Sequence, residues 1–263
     1  MATPDLLLDR QGRVLSLTFN RPEHGNTLTQ GLLNALSDAL DVADRDPDCR
    51  VLVLRGTNGQ FCTGMDFGEL TERLTRIDFG VSSGSDSGDA HYMDLLRRIA
   101  SIGKVVVSAV DGQVMAGGVG FLAASDLVLA TPASRFSLPE ALWGLLPACV
   151  LPLLIRRIGF QDAYRLTLTT ETWSADQAHT SGLVDEVDTD LDGAIRKRMV
   201  RLSRLEPETV RNLKAYFRKM WYLSDAVERT AVDEIDRLVR DPRIQENIRN
   251  FVEHKRFPWE GRS

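Results

Sequence analysis

Residues 59–70 (GQFCTGMDFGEL) and 112–121 (GQVMAGGVGF) each place glycines after a strand-like run and before a helix-like one. Glycine lets a backbone approach a ligand closely, and a helix start leaves N–H groups unpaired beside a partial positive charge. Two such turns can each offer one amide donor to a single oxygen that carries negative charge. Taken singly, each also reads as an ordinary tight turn. A third stretch, residues 133–159 (ASRFSLPEALWGLLPACVLPLLIRRIG), sets Glu140 after Pro139 in apolar surroundings. Lost hydration raises the pKa of a carboxyl in such a place, which suits proton transfer near neutral pH. A glutamate after proline is equally at home in the first turn of a helix. Asp66, ahead of FGEL, reads as an N-cap.

The rest of the chain reads as the frame for these stretches. Runs at 13–19 (RVLSLTF), 50–56 (RVLVLRG), 104–110 (KVVVSAV) and 126–130 (DLVLA) are short and dense in β-branched residues, the pattern of buried strands. Between the first two, TLTQGLLNALSDALDVADRD puts Leu33, Leu36, Leu40 and Ala43 on one helical face, with Thr27 and Gln30 as a capping box. Residues 82–90 (SSGSDSGDA) carry no large apolar side chain and read as a mobile loop inside one domain. From about residue 190 four amphipathic helical patterns follow one another, a layer for docking or assembly.

The 263 residues are 43% hydrophobic and 26% charged with a net charge of −5, a globular composition that argues against nucleic acid as the main partner. No apolar run approaches the ~20 residues that span a bilayer. The start, MATPDLLLDRQGR, has no basic stretch leading into an apolar one and does not read as a secretory signal. Cys49, Cys62 and Cys149 are odd in number and far apart, and His24, His91, His179 and His254 show no i, i+4 pairs. That pattern fits a reducing cytoplasm, with neither a disulfide framework nor a metal centre expected.

FCTGMDF, AGGVGFLAASDLVLA and FSLPEALWGLLP stand in the order and spacing of the enoyl-CoA hydratase/isomerase (crotonase) superfamily. The chain resembles that family from NRPEHGNTL (20–28) to FVEHKRF near the C-terminus. SLPEALWGLLPACVLPLLIRRIG and the closing FPWE are most similar to one subgroup, the dehydratase of polyketide β-branching cassettes. It acts on 3-hydroxy-3-methylglutaryl groups held on an acyl carrier protein.

The resemblance implies an α/β (α+β) fold: a spiral of ββα units over residues 1–195, then a C-terminal helical region over 196–263 that assembles trimers or hexamers. It implies no cofactor. A thioester carbonyl would sit between the N–H groups of Met65 and Gly117, and Glu140 would handle the α-proton. Cys62, Asp66, Gly118, Gly120, Tyr92 and Trp143 would line the substrate, and Phe251 and Lys255 of a neighbouring subunit would meet the carrier arm.

Two-acid hydratases of the family carry a second carboxylate where this chain has Gly120. Dehydration remains open to a one-carboxylate site, because a tertiary C–O bond breaks more readily. Glu140 could return its proton to the leaving hydroxyl, or Tyr92, His91 or Cys149 could supply one. Arg73, Arg76, Lys104 and Arg156 are the cations that could meet a distal carboxylate. A one-carboxylate double-bond isomerase or hydratase, an inactive binding subunit and coenzyme A as the carrier stay open at this level.

Overall fold

A computed structural model of the chain describes residues 4–78, 88–221 and 224–260. Strands β1 (Leu6–Gln11) and β2 (Val14–Phe19) form an antiparallel hairpin. Helix α1 (Gln30–Arg45) then crosses over to β3 (Val51–Gly56), which lies parallel to β2. The chain turns into β4 (Gln60–Cys62), followed by α2 (Phe67–Asp78) and α3 (Gly88–Ser101). The strand–strand–helix unit recurs as β5 (Val105–Val110), β6 (Gln113–Met115) and α4 (Gly117–Ala124). It recurs again as β7 (Leu127–Ala130), β8 (Arg135–Ser137), a 3₁₀ turn at Glu140–Trp143 and α5 (Leu151–Thr169). β9 (Trp173–Ser174), α6 (Ala175–Thr180) and β10 (Glu186–Val187) complete the sheets. Four helices follow: α7 (Leu191–Leu202), α8 (Pro207–Arg218), α9 (Asp225–Val239) and α10 (Pro242–His254).

The strands divide into a six-stranded sheet, β1-β2-β3-β5-β7-β10, and a four-stranded sheet, β4-β6-β8-β9. Each repeat puts its first strand in the larger sheet and its second in the smaller, so the chain advances one place along both. The mixed α/β fold is therefore a spiral of ββα units. Alternation places Leu15, Leu17, Leu52, Leu54, Val106 and Val128 on one face of the larger sheet, packed against α1, α3, α4 and α5. Val51, Val53, Val105, Val107 and Leu129 fill the other face, beneath Ala194, Ile195 and Val210 of α7 and α8. Strands buried on both sides read as unbroken apolar runs. That is why β3, β5 and β7 stand out in the sequence, whereas β2 shows alternating burial.

Two details differ from expectation. The cap of α1 is Thr29, whose side chain accepts from the Leu32 N–H at 3.1 Å. Thr27 lies too far upstream to close the box, and its hydroxyl donates to Asp66 instead. In the 82–90 segment, residues 88–90 open α3, while 82–87 lie outside the described residues. Among the described residues no helix is long and apolar enough to cross a membrane.

Candidate active site

Three parallel strands deliver the chemistry. Cys62 of β4 pairs with Val114 of β6, and Met115 of β6 pairs with Ser137 of β8. Beyond those pairs the chain continues to Met65, Gly117 and Glu140, so one register brings all three to the carboxyl ends of neighbouring strands. Ligands in sheets of this kind bind at that edge.

Leu28 pairs with Met65 in a parallel bridge: the Leu28 N–H donates to Gly64 O at 2.8 Å, and the Asp66 N–H donates to Leu28 O at 3.1 Å. The residue between two such bonds turns its own N–H to the opposite side. The Met65 N–H therefore faces away from Leu28, and among the described residues it has no partner. The Gly117 N–H, at the start of α4, is likewise unpartnered among them.

The two turns touch. A Cβ on Gly64 (φ +92°) would lie 2.6 Å from Ala116 Cβ and 3.4 Å from the Gly117 nitrogen, so only glycine fits. Ala116 itself sits at φ 50°, ψ −127°, a conformation that costs an alanine of order 1–3 kcal/mol. Strain of that kind, held by Ala116 N–H to Ser137 O at 3.0 Å, aims the following amide. Gly118 is pressed against the Cys62 carbonyl, 2.3 Å from where its Cβ would fall, which seats α4 on β4.

Glu140 opens the 3₁₀ turn after β8. Its Oε2 is buried and has no hydrogen-bond partner among the described residues. Burial pushes the carboxyl up to about 7, partly offset by its own backbone N–H. An ionisable group left bare in this way can both take a proton and give one back near neutral pH.

Three residues on from Glu140, in the same 3₁₀ turn, Trp143 joins a wall of rings. Trp143 has its centroid 4.9 Å from Phe67, 5.0 Å from Phe251, 5.9 Å from Phe257 and 6.2 Å from Trp259. Phe251 thus meets Trp143 of its own chain, and Lys255 Nζ lies 5.4 Å over the Phe251 ring. Met65 and Phe67 also join an apolar cluster with Leu238, Ile244 and Ile248 of α9 and α10. The last helices hold the first amide turn.

Asp66 serves the loop. Its Oδ1 accepts from the Gly68 and Glu69 N–H groups, and its Oδ2 accepts from Thr27 Oγ1 at 2.9 Å beside Arg21 Nη2 at 3.5 Å. Against the upward push of burial, these hydrogen bonds and Arg21 hold its carboxyl below the usual range. Cys62 and Cys149 are buried thiols pushed up to about 12 by desolvation, and Cys149 Sγ lies 3.9 Å from Asp89 O. His91 faces outward to Gln30 Nε2 at 2.7 Å. Of the three proton donors considered, only Tyr92 enters the site, donating its hydroxyl to Gly117 O.

Lys104 is not a cation for a substrate. It is 1% exposed, and its Nζ donates to the carbonyls of Asp46 at 2.7 Å and Cys49 at 3.0 Å. The Arg156 guanidinium donates to Ala123 O and lies 4.6 Å over the Trp221 ring. Arg73 and Arg76 fall on α2, with side chains outside the described ones. Sequence reasoning missed Asn26, fully buried, whose Nδ2 donates to Gln60 O at 2.6 Å and whose Oδ1 accepts from the Arg21 N–H at 2.7 Å. It knots NRPEHGNTL to the turn before β4. It also missed the rings of Phe67, Phe257 and Trp259, although FCTGMDF and FPWE had marked their positions.

Known proteins resemble this chain along its length. A model of the family described as enoyl-CoA hydratase/isomerase matches residues 9–262. The bacillaene synthase dehydratase PksH of Bacillus subtilis is 36% identical over 250 residues, 95% of this chain and 94% of that protein. A crystal structure titled as a putative polyketide biosynthesis enoyl-CoA hydratase (pksH) from Bacillus subtilis superimposes with a TM-score of 0.88 at 34% identity, over 96% of this chain and 98% of that one. The mevalonyl-coenzyme A hydratase SIDH of Beauveria bassiana is 29% identical over 95% of this chain and 92% of its own length. The chain belongs to the enoyl-CoA hydratase/isomerase (crotonase) family of hydratases and dehydratases.

Proposed function

We propose that the chain dehydrates a 3-hydroxy-3-methylglutaryl thioester on an acyl carrier protein, giving 3-methylglutaconyl thioester and water. One observation carries the reading: one sheet edge presents the buried carboxyl of Glu140, whose Oε2 has no hydrogen-bond partner among the described residues, and two amides likewise unpartnered among them. The Glu140 carboxylate takes the α-proton, and the C–H electrons move into the carbonyl. The Met65 and Gly117 N–H groups hold the resulting oxyanion, each worth roughly 3 kcal/mol of barrier. Collapse of the enolate breaks the C3–O bond, and the proton on Glu140 goes to the departing hydroxide. Glu140 ends as it began, and no other reactant is consumed.

The relatives favour a branched 3-hydroxy substrate. PksH is named a bacillaene synthase dehydratase, and SIDH is named for mevalonyl-coenzyme A, itself a 3-hydroxy-3-methyl thioester. Both align over 95% of this chain, against 70% for the enoyl-CoA hydratase EchA19 of Mycobacterium tuberculosis.

The test is mass spectrometry of the carrier-bound thioester incubated with the purified chain. Loss of one water is expected, and Glu140→Gln slows it by roughly a thousandfold. No mass change, with double-bond migration in an enoyl-CoA, would replace this reading with an isomerase. Equal kcat/KM on the coenzyme A thioester would remove the carrier protein from it.

A further inference from the structure

The place of a second carboxylate is occupied. A Cβ built on Gly120 would lie 2.1 Å from the Tyr92 hydroxyl oxygen, 3.2 Å from Tyr92 Cζ and 3.2 Å from Leu96 Cδ1. The phenol reaches into that space from α3, packed edge-on against Phe121 with centroids 5.7 Å apart. Its hydroxyl donates to the carbonyl of Gly117, the residue whose N–H is one of the two oxyanion donors. A phenol has one hydrogen to give. With that hydrogen committed to a backbone carbonyl, Tyr92 has none for a leaving group. Burial holds the phenol well above its ordinary pKa, so it stays neutral beside Glu140.

Gly117 sits between a strained Ala116 and the first turn of α4. Glycine on its own is free to rotate, and an oxyanion donor works only when its direction is fixed beforehand. We infer that Tyr92 is a positioning residue that braces the Gly117 donor, and that Gly120 is its steric counterpart, lacking a side chain so that the phenol can reach. Gly120 is then a fitted part of a one-carboxylate site, not a lost acid. The reaction this serves is the dehydration proposed above, on which the inference rests. The brace itself stands on the packing of α3 against α4.

Two rates separate the possible roles of Tyr92. One is dehydration of the 3-hydroxy-3-methylglutaryl thioester. The other is exchange of the α-protons of 3-methylglutaryl thioester with D2O, which needs the enolate but has no hydroxyl to expel. In Tyr92→Phe both rates should fall together, by about tenfold or more in kcat with KM little changed. Gly120→Ala, which drives a methyl into the phenol, should lose as much in exchange, yet add little in the Tyr92→Phe background. Thermal melts exclude unfolding as the cause. Loss of dehydration alone would make Tyr92 a proton donor and overturn the brace. Unchanged exchange in both single variants would overturn it as well. A wild type that exchanges protons but dehydrates nothing would sink the substrate reading and leave the brace testable. A wild type without exchange would sink the oxyanion assignment beneath both.

Discussion

At the scale of single residues, the carboxyl proposed as the base, Glu140, ties stability to pH. Its folded pKa, about 7, lies above the ordinary glutamate value, so between about 4.5 and 7 the folded state holds a proton that the unfolded chain gives up. Stability therefore falls as pH rises through that window, by up to about 3 kcal/mol, while the base becomes active. Glu140→Gln should melt higher than wild type at pH 8 and about equally at pH 4.5, with kcat lost throughout. Scanning calorimetry at the two pH values checks this. The raised pKa was legible in LPEALWGLLP, because local composition alone predicts desolvation there. Lys104 was not: KVVVSAV gives no sign that its first residue folds under the strand to bind two carbonyls. Tyr92 could be named from sequence only alongside His91 and Cys149, since what selects it is a contact with position 120.

At the scale of elements, the long strands announced themselves and the functional ones did not. β4, β6 and β8 have three residues each, too few to show a period. Their presence had to be inferred from the glycine turns that follow them. β1 escaped notice because only Leu6 at its start is buried. The capping box at Thr27 failed for a reason visible only in space: its hydroxyl spans to Asp66 and ties the start of α1 to the turn of Met65. Asp66 thus joins α1, α2 and the oxyanion turn through one carboxylate. Asp66→Ala should cost about 1–2 kcal/mol in denaturant unfolding, the usual worth of a cap. It should also lower kcat more than it raises KM, because the Met65 amide loses its support. A variant that unfolds earlier but turns over normally would leave Asp66 as a cap and nothing more.

At the scale of the whole molecule, the C-terminal helices have two faces with different work. One face packs Val210 on the sheet and closes α10 over Met65, Phe67 and Trp143. The other is apolar and exposed: Leu213, Tyr216 and Phe217 on α8, continued by Met220, are each more than half exposed. They stand at i, i+3, i+4 and i+7, one stripe left uncovered by the described residues. An exposed apolar stripe of this kind is an interface signature. We propose that it pairs with further copies of the chain in a closed ring, trimeric or a doubled trimer. Light scattering should give three or six chains, and Tyr216→Glu with Phe217→Glu should give single chains. A wild-type monomer would refute it. The helical character of this region was plain from sequence. Which of its stripes turns inward was not, since α8 is apolar on both sides.

The ring wall beside Glu140 has one more consequence. Two of the chain's four tryptophans, Trp143 and Trp259, stand in it, and Trp143 shares a 3₁₀ turn with the carboxyl. A neighbouring acid that gains or loses its charge alters how such an indole emits, and a ligand that displaces water shifts its colour. The protein carries a built-in fluorescent dial at its candidate active site, legible in ordinary ultraviolet light without any attached dye.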